Sequence, residues 1–334
     1  DPTKPILSSN GSSMGDRRLY IQTYLNYDRS FGDHNVSAMA LYNQDEATIN
    51  NPGSDLIATL PRRRQGYAFR ASYDYAQRYL LEVNAGYNGS ENFARGHRWG
   101  FFPSIAVGWN VSKEAFWKPL QNTVSNLKLR ASYGLVGNDK TVDQRFIYLE
   151  EVVLSGDKHR PNFSTGFDGS YESRRGPGFT RYANPQITWE IGKKLNVGFD
   201  LQLFKSLSLT VDAFQEIRSN IFQQKQTIPN YFGTADAKIY GNLAKIKNWG
   251  LDIALEYNKQ FNKDWIVQAR GTFTFARNRI LEYDEAANLR PALRNVGKRL
   301  FTHWGYVSDG YYIDQADIDH SPKSTLLALK DSRR

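Results

Sequence analysis

Polar and apolar residues alternate one for one through much of this 334-residue chain. The segment Leu195–Phe204 is the clearest case, with Leu195, Val197, Phe199, Leu201 and Leu203 interleaved with Asn196, Gly198, Asp200 and Gln202. A tight turn at Lys205-Ser206 leads to Leu207–Phe214, where Leu207, Leu209, Val211 and Ala213 alternate with Ser208, Thr210 and Asp212. Successive side chains of a strand point to opposite faces, so this period describes strands with one apolar and one polar face. In soluble sandwiches such strands usually run to about five or six residues. Stretches of roughly 9–11 residues fit a bilayer crossed at a tilt, with hydrocarbon on one face and a wet interior on the other.

The same pattern predicts about eleven strands. They cover Arg18–Asp28, His34–Gln44, Gln65–Tyr75, Tyr79–Asn88, Trp99–Val111, Leu127–Leu135, Phe146–Leu154, Leu195–Phe204, Leu207–Phe214, Gly250–Tyr257 and Trp265–Ala276. Ser112–Phe116 reads as a short helical turn. The connections at Arg29–Asp33, Ala76–Arg78, Ser112–Asn126, Lys205-Ser206 and Asn258–Asp264 are mostly short. Those at Asp45–Arg64, Gly89–Arg98, Gly137–Pro185, Ile217–Lys247 and beyond Asn278 are mostly long. Alternating short and long connections predict an all-β, antiparallel, up-and-down transmembrane β-barrel segment, with short periplasmic turns and long extracellular loops.

Composition narrows this further. Aromatic residues make up 14% of the chain, with Tyr 20, Phe 19 and Trp 7, which suits interfacial girdles. No apolar run approaches the ~18 residues of a membrane helix, which leaves a barrel untouched. With no cysteine, disulfides, thiolate metal sites and cysteine nucleophiles are excluded. The net charge is +9, but its basic residues are scattered among strands and loops. Arg62-Arg63-Arg64 is the tight cluster, and it reads as the solvated close of a loop; no nucleic acid is expected as a partner. The chain opens Asp1-Pro2-Thr3-Lys4-Pro5, without a basic stretch followed by an apolar one, so a mature chain or a fragment is expected.

No catalytic constellation stands out. Histidines 34, 97, 159, 303 and 320 form no His-Glu-x-x-His pair, and neither a Gly-x-Ser-x-Gly elbow nor a phosphate loop occurs. The expectation is therefore no enzyme, no cofactor and no metal. Asp309, Asp314, Asp317 and Asp319 lack the glycine and terminal glutamate of a calcium loop and read as solvated. Arg70, Asp74, Glu82, Lys128, Arg130 and Asp200 fall on the polar face, where charges pair with whatever fills the interior, or with water, more readily than with substrate. Aromatic residues in or beside the long connections are the better candidates, because sugar rings and peptides lie against their faces. These are Trp99, Tyr148, Tyr171, Phe179, Tyr182, Tyr231, Phe232 and Trp304. Belt or loop-packing roles are the plainer reading for most of them.

Several segments resemble one family. Arg29-Ser30-Phe31-Gly32-Asp33-His34-Asn35-Val36, and Tyr73-Asp74-Tyr75 through Arg78-Tyr79-Leu80, resemble hairpins of the SusC/RagA family of TonB-dependent outer-membrane transporters from Bacteroidetes. The most specific block runs Asn88-Gly89-Ser90-Glu91-Asn92-Phe93, then Arg98-Trp99-Gly100-Phe101-Phe102-Pro103-Ser104 to Gly108-Trp109. It continues through Ser112–Phe116 and Leu127–Gly134 to Gly137-Asn138. Ile187–Glu190, Asn196–Asp200 and Asn248–Asp252 are similar to later family segments. The family commonly carries Asp where Asn88 stands, and the turn accepts either.

The resemblance spans roughly Arg17–Ile318 in the family's order and spacing. It implies a wall segment making about half of a plugged 22-stranded barrel in the outer membrane, in contact with outer-membrane lipids. It also implies energy from the TonB complex through an N-terminal plug region, a SusD-like lipoprotein as lid, and an oligosaccharide or peptide as substrate. The plug is not visible in this sequence. Two regions are expected: the barrel segment 1–318, and an atypical tail 319–334 suggesting truncation or a frame slip. A passive outer-membrane porin and a secreted β-rich adhesin are the alternatives.

Overall fold

The computed structural model describes residues 15–50, 56–140, 145–153, 162–165, 172–175, 178–228, 238–308 and 310–320. In chain order the strands are β1 (Gly15–Phe31), β2 (His34–Asn50), β3 (Arg62–Tyr75), β4 (Tyr79–Ser90), β5 (Trp99–Asn110), β6 (Val124–Asn138), β7 (Glu151–Val153), β8 (Asn162–Thr165), β9 (Glu172–Arg175), β10 (Gly178–Arg181), β11 (Glu190–Leu203), β12 (Leu207–Gln224), β13 (Tyr240–Gln260) and β14 (Ile266–Glu282). Ten of them form one sheet in the order β1-β2-β3-β4-β5-β6-β11-β12-β13-β14. Every neighbouring pair in it is antiparallel. The short strands pair separately, β7 with β10 and β8 with β9. Residues 1–300 form one compact unit and residues 301–334 a second. Among the described residues of the second, a short helix, Gln315–His320, is the regular element.

Register puts the alternating residues where the sequence pattern requires. Leu129, Phe199, Val211, Ile253 and Phe273 share one row on one face, and Arg130, Gly198, Asp212, Asp252 and Thr274 share one on the other. The apolar face is bare: Leu25 is 73% exposed, Phe101 60% and Phe273 58%. An apolar face of ten strands open to its surroundings suits hydrocarbon, not water.

Aromatic rings border that face at both ends. Tyr87 stacks on Trp99 at 4.7 Å, and Tyr42 and Tyr67 lie 5.2 Å apart beside them. At the short-turn end, His34, Tyr75 and Tyr79 follow one another at 4.8 and 6.5 Å. Tyr67 to Tyr75 spans roughly 27 Å along β3, or near 20 Å for a ~40° tilt, close to the ~25 Å apolar band of outer-membrane barrels. At the long-connection end, Lys193, Lys247 and Arg279 share one register row just past the apolar face, with the Lys247 ammonium 5.5 Å from the Trp249 ring centre.

Two of the short connections, residues 76–78 and 204–206, are three-residue hairpin loops, closed by the Arg78 amide on the Tyr75 carbonyl and the Ser206 amide on the Leu203 carbonyl. Ala76 and Gln77 have φ of 51° and 54°, Phe204 and Lys205 have 51° and 58°. Positive φ at both central residues gives the turn whose twist matches the flanking strands. It also moves the predicted Lys205-Ser206 turn back by one residue. Asp74 steadies the first hairpin by accepting a 2.8 Å hydrogen bond from the Gln77 amide. The predicted helical turn after β5 is two short 3-10 turns, Val111–Lys113 and Ala115–Leu120.

Two expectations are corrected. Phe146–Leu154 is not one strand: Phe146 takes φ 49°, Ile147 is buried at 1% exposure, and only Glu151–Val153 pairs, with β10. Burying Ile147 calls for a turn there, and a left-handed residue breaks extended backbone. Arg62-Arg63-Arg64 does not close a loop but opens β3, paired with Ala47, Glu46 and Asp45. Likewise β12 runs on to Gln224 and β13 begins at Tyr240, inside the predicted loop Ile217–Lys247.

Candidate functional site

The polar face carries charges that pair across neighbouring strands. Arg130 of β6 donates from Nε and Nη2 to both carboxylate oxygens of Asp200 on β11, at 3.0 and 3.1 Å. Its Nη2 also reaches Asp212 Oδ2 on β12 at 2.9 Å, while Thr210 donates to Asp200 Oδ1 at 3.2 Å. A forked guanidinium is suited to hold two carboxylates this way. Gly198 makes room for it, since a Cβ there would sit 2.4 Å from Asp212 Oδ1. That oxygen is buried and has no partner among the described residues. Nearer the short turns, Arg70 donates to Glu82 at 2.6 Å and Asn35 to Asp74 at 3.0 Å. Asp74, Glu82, Lys128 and Arg130 line a cavity of about 580 Å³ on this face. Thus Arg70, Glu82, Arg130 and Asp200, expected to meet the barrel filling or water, meet one another. Asp212 was not anticipated, although its position in the alternation opposite Gly198 marked it.

Below the short turns, Glu114 gathers three donors. Tyr79 Oη and Trp109 Nε1 donate to its Oε1 at 2.7 and 3.1 Å, and Arg78 Nη1 lies 3.5 Å from Oε2. The Tyr79 and Trp109 hydrogen bonds hold its carboxyl below the ordinary glutamate range; burial opposes them, and the Arg78 charge adds a lesser pull in their direction.

At the opposite end the long connections pack together. Phe93, Ile147, Ile187 and Trp189 form a buried cluster, backed by Phe102, Phe222 and Tyr240. Trp189 meets Phe93 and Phe102 at 5.3 and 5.2 Å, and its Nε1 donates to the Arg98 carbonyl at 3.2 Å. Buried Arg145 donates to the carbonyls of Ile57, Leu60 and Pro61 and to the Glu91 carboxylate. Buried Arg181 donates to the Leu149 carbonyl at 3.0 Å. Asn242 exchanges 2.9 Å bonds with both backbone groups of Thr188. Satisfied backbone and a dry cluster make this end an ordered layer.

Among the described residues of the first unit, the predicted aromatics Trp99, Tyr148 and, as a pair, Phe179 and Tyr182 take separate places. Trp99 lies on the outward apolar face, stacked on Tyr87 in the aromatic border. Phe179 and Tyr182 stack at 5.6 Å in the loop layer, with Phe179 40% exposed. Tyr148 meets the Phe146 ring edge-on at 6.3 Å, and the Asn184 amide donates to its carbonyl. Trp304 belongs to the second unit and is half exposed. Tyr171, Tyr231 and Phe232 lie outside the described residues, as does Asp309. Asp314 and Asp317 accept backbone hydrogen bonds around the Gln315–His320 helix, from Asp317 and Ile313. Asp319 Oδ1 accepts from Gln315.

The family described as TonB dependent receptor-like, beta-barrel matches residues 5–326. TonB-dependent receptor P3 of Formosa agariphila is 25% identical over 87% of this chain, and TonB-dependent receptor SusC of Bacteroides thetaiotaomicron is 26% identical over 77%. The chain spans 31% and 25% of those two relatives. Among solved structures, the RagAB peptide importer in its closed-closed state superposes with a TM-score of 0.65 at 19% identity, over 86% of this chain and 33% of that one. That likeness shows a common fold. A bare apolar face, bordering aromatics, a polar face of paired charges and alternating connection lengths all agree with it. The chain belongs to the TonB-dependent receptor-like β-barrel family, and its ten-stranded sheet is a stretch of outer-membrane barrel wall.

Proposed function

We propose that this chain supplies part of the wall of a SusC-like TonB-dependent importer, which takes oligosaccharides or oligopeptides across the outer membrane with a SusD-like surface lipoprotein. It has no catalytic role in this reading. The carrying observation is a two-faced wall, matched to this family from residue 5 to 326, whose long connections fold into a packed layer. A relative named TonB-dependent receptor SusC supports the importer reading, and the fold shared with the RagAB peptide importer is compatible with an oligomeric substrate. Membership in the TonB-dependent receptor-like family supports coupling to TonB, and the likeness to a relative named SusC supports a lipoprotein lid. An apolar outward face speaks against a secreted adhesin, which would have to solvate it.

The test is uptake in cells making the full-length protein that contains this segment. Fluorescent malto-oligosaccharides, oligogalacturonates and mixed peptides are offered in turn. At least one should accumulate in the periplasm, and accumulation should stop when a protonophore removes the energy supply. Accumulation indifferent to the protonophore would instead describe a passive porin.

A further inference from the structure

The arginine run at the start of β3 has not been absorbed by the wall. Alternation turns Arg62 and Arg64 to the inward polar face shared with Arg70 and Asp74, and Arg63 outward to Glu46, at 2.9 Å. The inward pair joins Arg18, Lys140 and Arg145 around a cavity of about 590 Å³ at the long-connection end, which Arg63 also borders. Four of these six cations are matched: Arg18 by Asp45 at 2.7 Å, Arg63 by Glu46, Arg64 by Asp139 at 3.5 Å, and Arg145 by Glu91. Arg62 and Lys140 have no carboxylate partner among the described residues. Arg145, with its side chain 8% exposed, also has a buried Nε without an acceptor among the described residues.

These features ask for negative charge. Unmatched cations lining a concave low-dielectric wall focus positive potential into it. A guanidinium offers a planar fork that fits a carboxylate, and a buried N–H calls for an acceptor. Neutral sugar hydroxyls would accept hydrogen bonds but leave the charge uncompensated. The volume lies within the several hundred Å³ usual for ligand sites.

We propose that this cavity is a subsite for an anionic oligomer, one whose carboxylates meet Arg62 and Lys140. The proposal rests on the importer reading and narrows its substrate to an acidic glycan or an acidic peptide. Both sources present the same carboxylate chemistry, and the experiment separates them.

The full-length protein is titrated calorimetrically with oligogalacturonate, oligoglutamate and a malto-oligosaccharide of matched length, at low and at physiological salt. One anionic oligomer should bind about tenfold or more tighter than the neutral one, as hydrogen bonds to charged groups imply, and weaken with salt. Which one binds identifies the source. Arg62→Gln with Lys140→Gln should weaken it about tenfold or more and flatten the salt dependence. Arg62→Lys alone, which keeps the charge, should retain most of the binding. Lys193→Gln with Lys247→Gln removes equal charge from the outward face and should change nothing. Heat-modifiable gel mobility shows that each variant is folded.

Unchanged affinity in the folded Arg62→Gln, Lys140→Gln variant would mean that another part of the full-length protein meets these cations, and would overturn the proposal. Preferential binding of the malto-oligosaccharide would overturn it while leaving the importer standing. If no oligomer binds and none is taken up, the importer reading falls and the subsite falls with it.

Discussion

Phe199 and Asp200 are neighbours in the chain and face different media. Phe199 is the middle of five outward apolar positions on β11, in a row with Leu129, Val211 and Ile253. Asp200 is held inward by Arg130. In the full-length protein, Phe199→Arg at mid-bilayer should cost about 2–4 kcal/mol. Asp200→Asn keeps the shape, leaves Arg130 its bond to Asp212, and should cost clearly less. Folding yield and heat-modifiable mobility measure both, and equal tolerance would count against the assigned faces. Glu114 supplies a pH dependence. Its carboxyl is held below the ordinary range in the folded state by Tyr79, Trp109 and Arg78. A depressed folded pKa stabilises above the unfolded value, near 4.3, and that stabilisation is lost as pH falls through the folded one. Between pH 7 and pH 5 wild type should therefore resist denaturant better than Glu114→Gln, and the gap should close below about pH 4. A gap independent of pH would show that packing, not charge, is what Glu114 contributes.

At the scale of elements, ten of the predicted strands form the sheet, because inside a bilayer one face must be apolar and the other need not be. That contrast is written directly in the alternation. Where strands leave hydrocarbon, both faces are wet and alternation carries no information, although the ladder continues. Hence β2 runs past Gln44 to Asn50, and β12 past Phe214 to Gln224. The predicted strand at Phe146–Leu154 failed for a related reason. Its Ile147 serves a cluster drawn from distant connections, Phe93, Ile187 and Trp189, and nothing local announces such a partner. The candidate site was less legible still. Trp99 opens a predicted strand beside a long connection, where a belt role and a substrate role look alike, and its register with Gly89 places it in the outward border. Connection length also assigns sidedness. In the full-length protein, Glu150→Cys in the loop layer should react on intact cells with an impermeant maleimide, and Lys205→Cys in the short hairpin should not. This segment has no cysteine of its own, and any elsewhere in the full-length protein is replaced first. The reverse pattern would invert the wall in the membrane.

For the whole molecule, the open edges matter most. The sheet ends at β1 and β14, each 17 residues long, and neither outer edge has a strand beside it among the described residues. Inside hydrocarbon an unpaired N–H or C=O costs several kcal/mol, which is why spanning sheets close. Exposed edges in water instead template pairing with other chains. The small buried cluster at the loop end cannot offset either penalty, because it draws on few side chains and lies away from both edges. The 334-residue chain made alone should therefore assemble into aggregates or be degraded, and should show no channel. Its inward charges, including the half-satisfied Asp212, would then face water or neighbouring chains in place of a barrel interior. Expression of this segment in an outer-membrane background, followed by detergent extraction and planar-bilayer recording, tests the point. A dispersed, heat-modifiable species with unitary conductance would mean that the strands close among themselves, and the porin reading would then displace the importer. Material that pellets from mild detergent, while the full-length protein stays dispersed, is the expected result: the wall is stable only where further strands of the same protein cover β1 and β14.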